Sequence, residues 1–238
     1  KSAVIPAPML GIDDRIGAAV GNEQTALTAI NIVPSEYGLR VREGYREWVL
    51  GLDGEVRTII PFAGVDANEL QTQRLFAATD KSIWDVTAVG DPPVLMLSFD
   101  DITDDSGYGV YTHYVTANGD DILFYADGEN GLFEYDPSLG TWAKATGITD
   151  SPNSINNLDL ENVNFIVSHK LRLWIIEKHK NYAWYLPILS AKGQAIEFFF
   201  ASKFKHGGEL VGLFNWTMDG GAGRDDFLVS DSRGGDVI

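Results

Sequence analysis

The densest group of metal-competent side chains is Asp100, Asp101, Asp104 and Asp105, which crowd into the stretch before Gly107. A calcium loop needs oxygen ligands at alternating positions, a glycine at a fixed place and a closing bidentate Glu. With Asp101 as first ligand, Thr103 and Asp105 fall at the third and fifth positions, but Gly107 arrives one residue late and the Glu is missing. A solvated acidic loop is therefore expected. The four histidines, His113, His169, His179 and His206, lack partners at i+2 or i+4, so no zinc signature is present. His179, between Lys178 and Lys180, reads as a solvated turn residue.

Nucleophile and phosphate chemistry fare no better. The sequence has no Gly-x-Ser-x-Gly elbow and no Gly-x-x-x-x-Gly-Lys loop. Gly220-Gly-Ala-Gly223 runs into Arg224-Asp-Asp rather than into a helix, whose N-terminus is what makes such loops bind anions. Glycoside hydrolysis needs only two suitably spaced carboxylates, and 34 acidic residues single out no pair. Asn215-Trp-Thr217 matches a glycosylation acceptor, a tripeptide too short to carry weight alone. No cysteine is present, so thiolate sites and disulfides are excluded. The expectation is a protein that is not an enzyme, with no cofactor and no metal.

Charge excludes a further class. Eighteen Lys and Arg against 34 Asp and Glu give a net charge of −16, the wrong balance for gripping nucleic acid through its phosphates. The charges are also segregated. From Ser82 to Ala143 there are twelve carboxylates and no Lys or Arg; from His169 to His206 there are seven cations against Glu177 and Glu197. Each run can be a solvated face, or the two can be flanks that meet in neighbouring copies. On the second reading Asp100, Asp101, Asp104 and Asp105 form one side of a subunit interface, and Lys178, Lys180, Lys203 and Lys205 the other.

The elements that would hold these residues are short strands. Apolar residues make up 45% of the chain, enough for a packed core, and 25 glycines imply many turns. Val56-Arg-Thr-Ile-Ile-Pro-Phe62 and Tyr108–Tyr114 alternate with period two. Asp53-Gly54, Asn118-Gly119, Asp127-Gly128, Asn130-Gly131 and Asp136-Pro137 punctuate the strands as turn pairs. One helix is expected, over Glu23–Ile30 with Asn22 as N-cap. The longest apolar runs fall well short of the ~18–20 residues of a membrane span.

A repeat underlies the strands. Apolar strand, acidic turn and second strand recur from Leu75, Leu123, Leu173 and Phe227, at spacings of 48, 50 and 54 residues. That matches the ~40–50 residues of a propeller blade. The predicted fold is all-β: residues 1–39 form an extended N-terminal arm, and residues 40–238 a partial β-propeller of four-stranded blades, each repeat start being buried. Because the last repeat reaches only Gly235–Ile238, a longer polypeptide or another segment is expected to complete the ring.

Two stretches carry a resemblance: Ala29-Ile-Asn-Ile-Val-Pro-Ser-Glu-Tyr-Gly-Leu-Arg-Val-Arg-Glu-Gly-Tyr45, and Val56–Phe62 together with Arg74-Leu-Phe-Ala-Ala-Thr-Asp-Lys-Ser-Ile-Trp-Asp-Val-Thr87. Pro6-Ala-Pro8, Gly140-Thr-Trp142 and Trp184-Tyr-Leu-Pro187 fit the same pattern. The chain resembles the tail nozzle proteins of short-tailed bacteriophages, also called tail tubular or packaged-DNA stabilisation proteins. The resemblance implies a structural virion protein, made in the host cytoplasm, whose copies form a hexameric ring. That ring lies below the tail adaptor (the head-to-tail connector), joins other tail components and conducts duplex DNA without gripping it. No membrane is implied in the resting state, and the family has no catalytic residues to carry over. Two other classes fit an all-β repeat: a propeller carbohydrate-binding module using its tryptophans, and a propeller glycosidase.

Overall fold

The computed structural model describes residues 10, 12, 24–26, 28, 30–35, 38–65, 70–146, 155–217 and 227–238. Two compact units divide the chain at 47/48. In the first, β1 (Ile32–Ser35) and β2 (Gly38–Val41) form an antiparallel hairpin with Ile32 opposite Val41. The helix expected over 23–30 is not seen in its described residues. Gln24 and Thr25 lie in a turn and bend, and Ala26 bridges to Ile12 in parallel. Two turns of helix bring too few hydrogen bonds to cover the cost of nucleation, so a local propensity this short yields to strand pairing. Pro6-Ala-Pro8 lies outside the described residues.

The second unit is a succession of antiparallel sheets. Sheet I joins β3 (Val56–Val65), β4 (Gln71–Thr79), β5 (Ser82–Asp85) and β6 (Val94–Ser98) in chain order. Sheet II repeats the pattern with β7 (Val110–Val115), β8 (Asp121–Ala126), β9 (Leu132–Asp136) and β10 (Thr141–Lys144). β11 (Ile155–Asn156) and a short 3₁₀ turn at Leu160–Asn162 lead into sheet III: β12 (Val163–His169), β13 (Arg172–Glu177), β14 (Tyr182–Tyr185) and, after β15 (Gly193–Gln194) pairs with β11, β16 (Ile196–Phe199). Sheet IV holds β17 (Leu210–Trp216) and β18 (Phe227–Ser232), and a bridge from Asp231 to Val237 begins a third strand. Among the described residues there is no α-helix. The chain is all-β, an incomplete propeller-like array of four-stranded blades.

The four sequence repeats fall on equivalent places, in the second and third strands of sheets I to III and at the second strand of sheet IV. Face-to-face stacking explains why those strands read as unbroken apolar runs rather than alternating ones. In β8, Leu123 and Tyr125 turn toward sheet I and join Ile60, Phe62, Phe76 and Ile83, while Phe124 and Ala126 turn toward sheet III and join Ile166, Leu173 and Ile175. A third layer, with Ile176, Ala183, Phe200, Leu210 and Leu213, lies between sheets III and IV. Strands buried on both faces have no polar side to show.

One repeat start differs from expectation. Leu123 and Leu173 are wholly buried, but Leu75 is only partly so. By strand register Leu75 shares the face of Leu123 and Leu173, which point at the preceding sheet. No described sheet of this unit precedes sheet I. In sheet IV it is Leu228 that packs toward sheet III; the side chain of Phe227 lies outside the described residues.

Candidate interaction surface

Strand direction sorts every loop to one of two ends. The turns between second and third strands and the connections between successive sheets share one end; the other turns share the opposite one. All eight residues singled out by charge lie at the first end. Asp100, Asp101, Asp104 and Asp105 are exposed in the connection from sheet I to sheet II. Lys178 and Lys180 flank the β13–β14 turn, and Lys203 and Lys205 are exposed in the connection from sheet III to sheet IV. The acidic and basic groups thus occupy different sectors of one end.

Their side chains are not equally available. Lys178 is half-buried and paired with Glu129 of the β8–β9 turn, so its charge is met within the chain. Asp100 lies 3.8 Å from Lys144, which also reaches Glu161 at 3.1 Å. Lys180 sits 5.9 Å from the centroid of the Tyr182 ring. Pairs this exposed contribute little to stability, so Asp100 keeps its charge on offer.

Residues that sequence reading passed over hold the acidic loop in place. The Arg57 guanidinium donates to the carbonyls of Asp104 and Ser106, and lies 4.8 Å from the centroid of the Tyr108 ring. The Thr58 hydroxyl donates to the Gly107 carbonyl at 2.7 Å and accepts from the Gly109 N–H. The Asn130 carbonyl oxygen accepts from the Asp101 N–H at 3.0 Å, and Ser106 donates to the Asp101 carbonyl. Buried Asp127 accepts from the N–H groups of Glu129 and Asn130 and from the Asn130 amide, which folds the β8–β9 turn. The Asp-Gly and Asn-Gly pairs were the available signal, and they marked a turn without disclosing its cross-links. Among the described residues no group of three or more His, Asp or Glu side chains could hold a metal ion.

Trp84 and Trp184 occupy matching positions in β5 and β14, and each indole N–H donates to a carboxylate at this end: Asp53 at 2.9 Å and Glu177 at 2.8 Å. Asp53 also accepts from the hydroxyls of Ser82 and Thr79. Partial burial works against its ionisation, but the bonds from Ser82, Trp84 and Thr79 outweigh it and hold the carboxyl below the usual range. A carboxyl depressed by folding contributes stability above its unfolded pKa, near 3.9, and that contribution is lost as pH falls through the folded value. Melting temperatures of wild type and Asp53→Asn should accordingly differ at neutral pH and converge as pH falls below the folded pKa of Asp53. A gap that persists unchanged into acid would show that Asp53 acts without its charge.

The histidines each meet an oxygen. His113 lies 3.2 Å from Asp121, His169 2.8 Å from Asn215 Oδ1, His179 3.0 Å from Glu209, and His206 2.9 Å from Asp236. His179 is exposed, as a turn residue should be, yet it ties the β13–β14 turn to the segment before β17. At the opposite end, a half-open groove of about 880 Å³ is lined by Asp120, Asp121, Asp136, Ser138, Ser190 and Lys192 among others. Lys192 pairs with Glu134, and Thr116, Ser138 and the Val65 N–H bind the groove's carboxylates. Gly220–Gly223 lies outside the described residues.

No family model, curated protein or solved structure matches the chain. No helix among the described residues is long and apolar enough to cross a membrane.

Proposed function

We propose that this chain is a structural virion protein, a subunit of a tail nozzle ring of the short-tailed phage type, through which duplex DNA is retained and then passes. The observation that carries this reading is the position of the stretches bearing the resemblance. Val56–Phe62 and Arg74–Thr87 form most of β3, the second half of β4 and all of β5, three adjoining strands of a sheet whose outer face displays Ile59 and Leu95 to solvent. Such a face in a repeating stack is suited to assembly. Trp84, Trp142 and Trp184, which a glycan-binding module could have used, are directed elsewhere: two to carboxylates, and Trp142 into the aromatic layer between sheets I and II.

The charge pattern suits a conduit. An acidic wall repels phosphates and gives a moving duplex nothing to hold, whereas a basic wall would bind by counterion release. In a ring of heterologous contacts, one flank of each copy meets the opposite flank of the next. Contacts between the acidic and basic sectors should weaken with salt, as the Debye length falls from ~10 Å at 0.1 M to ~3 Å at 1 M. Sedimentation should show assemblies that shrink in high salt. A duplex titration at ~50 mM salt, where phosphate contacts are strong, should show no tight binding. Salt-indifferent monomers would remove the assembly claim, and sub-micromolar duplex affinity would remove the repelling wall.

A further inference from the structure

We infer that Asn118 is a site of spontaneous modification, where the side chain loses ammonia and the backbone acquires an isoaspartyl linkage, and that the fold shields Asn130 from the same reaction.

The chemistry is local. In an Asn-Gly pair the glycine amide nitrogen gives up its proton to solvent base and attacks the asparagine Cγ. The N–Cγ bond forms, the Cγ–Nδ2 bond breaks and ammonia leaves, which closes a cyclic imide. Water then opens the imide at either carbonyl. Opening at Cγ leaves aspartate, and opening at the main-chain carbon leaves isoaspartate. Glycine favours closure because no Cβ crowds the attacking nitrogen. The chain has two such pairs, Asn118-Gly119 and Asn130-Gly131, and both lie in turns of sheet II.

Their surroundings differ at each atom the reaction touches. Asn118 and Gly119 are exposed in the β7–β8 turn, and among the described residues the Asn118 carboxamide has no hydrogen-bond partner. Nothing lies within 4 Å of a Cβ added to Gly119, so the ring has room to close. One bond stands in the way, from the Gly119 N–H to the Thr116 carbonyl at 3.0 Å. It belongs to a solvent-exposed turn, where local opening costs little. Asn130, by contrast, is 3% exposed. Its carbonyl oxygen accepts from the Asp101 N–H at 3.0 Å, and its amide donates to Asp127 at 3.1 Å and to Ser106 at 3.4 Å. The carbon that would be attacked is therefore held through both of its polar substituents. Gly131 is pressed against the backbone of Leu160 and Glu161. Reaction at Asn130 requires the β8–β9 turn to part from the acidic loop and from the 3₁₀ segment together.

The consequence falls on the groove at the opposite end, whose lining includes Asn118, Asp120, Asp121 and Asp136. Conversion adds a negative charge beside those carboxylates. The isoaspartyl form also lengthens the main chain between Thr116 and Asp120, which are tied by bonds of the Thr116 hydroxyl to the Asp120 carboxylate and N–H. The turn that lines the groove is thus the part of sheet II that changes with time.

The purified full chain is held in warm, mildly alkaline buffer, with a parallel sample in the same buffer plus denaturing urea. Peptide mass mapping follows amide-to-acid conversion at each site, and enzymatic methylation of isoaspartate identifies the linkage. In the folded chain Asn118 should convert at least ~10-fold faster than Asn130, equivalent to ~1.4 kcal/mol or more in the cost of opening. In urea the two rates should converge. Gly119→Ala should slow conversion at Asn118 and leave Asn130 unchanged. Equal rates at the two sites of the folded chain would overturn the assignment, as would an Asn118 that converts in urea but stays intact in the folded chain. Conversion at Asn118 without a methylatable product would overturn the isoaspartyl linkage.

Discussion

Truncating Leu123 to alanine is expected to lower the stability of the second unit by about 2–5 kcal/mol, the range for a large aliphatic side chain removed from a packed core. Leu123 has no exposed surface and lies in the layer where β8 meets sheet I, with Phe62, Phe76 and Tyr135. Those rings are braced against one another, Phe62 and Tyr135 at 5.3 Å and Phe76 and Tyr135 at 4.8 Å between centroids. A layer so constrained collapses poorly into a void, which places the loss above that of a site able to relax. Leu75→Ala removes the same atoms from the matching position of sheet I, where the side chain is only half-buried, and should cost distinctly less. Urea unfolding of both variants measures the difference. Equal losses would show that the two positions are equally enclosed and would undo the face assignment of sheet I.

A larger local disruption is expected from Gly131→Ala. Gly131 has φ +84°, and a Cβ there would stand 2.2 Å from the Leu160 carbonyl oxygen and 2.8 Å from the Glu161 Cα. The left-handed backbone alone costs an L-residue about 1–2 kcal/mol. The clash is with backbone, which cannot swing aside as a flexible side chain would. The turn after β8 and the 3₁₀ segment before β12 would have to separate, parting sheets II and III at their connection end. Gly119→Ala is the control, since Gly119 has φ +87° and nothing within 4 Å of its added Cβ. The excess loss at Gly131 over Gly119, read from thermal melts, isolates the clash. No excess would mean that the close approach is absent in solution.

Much of this architecture is legible in the chain because its punctuation is local. Asp-Gly and Asn-Gly pairs set turns from a few residues of context, and unbroken apolar runs such as Leu123–Ala126 announce strands covered on both faces. The spacing of the repeats then gives the blade. The expected helix over 23–30 misled because propensity across eight residues is weak beside strand pairing with a distant partner. Leu75 misled for a related reason: sequence shows that a position matches Leu123, but burial depends on whether another sheet lies opposite. The interaction surface was legible only as charge. Composition placed acids and bases in separate segments, and strand direction brings both to one end. What no local pattern shows is which charges are already met. Lys178 pairs with Glu129, 49 residues away, and Arg57 holds a loop 47 residues away. Such contacts follow from the stacking of sheets, which is a property of the whole chain.

The central claim, that this chain builds a ring, is tested most directly by imaging and weighing the particles it forms. The purified chain at low salt, examined by negative-stain electron microscopy and by mass measurement in solution, should give annular particles with a central opening, at an integral multiple of the 26.1 kDa chain mass. A homogeneous population at 26.1 kDa under those conditions, with no annular particles, would contradict it.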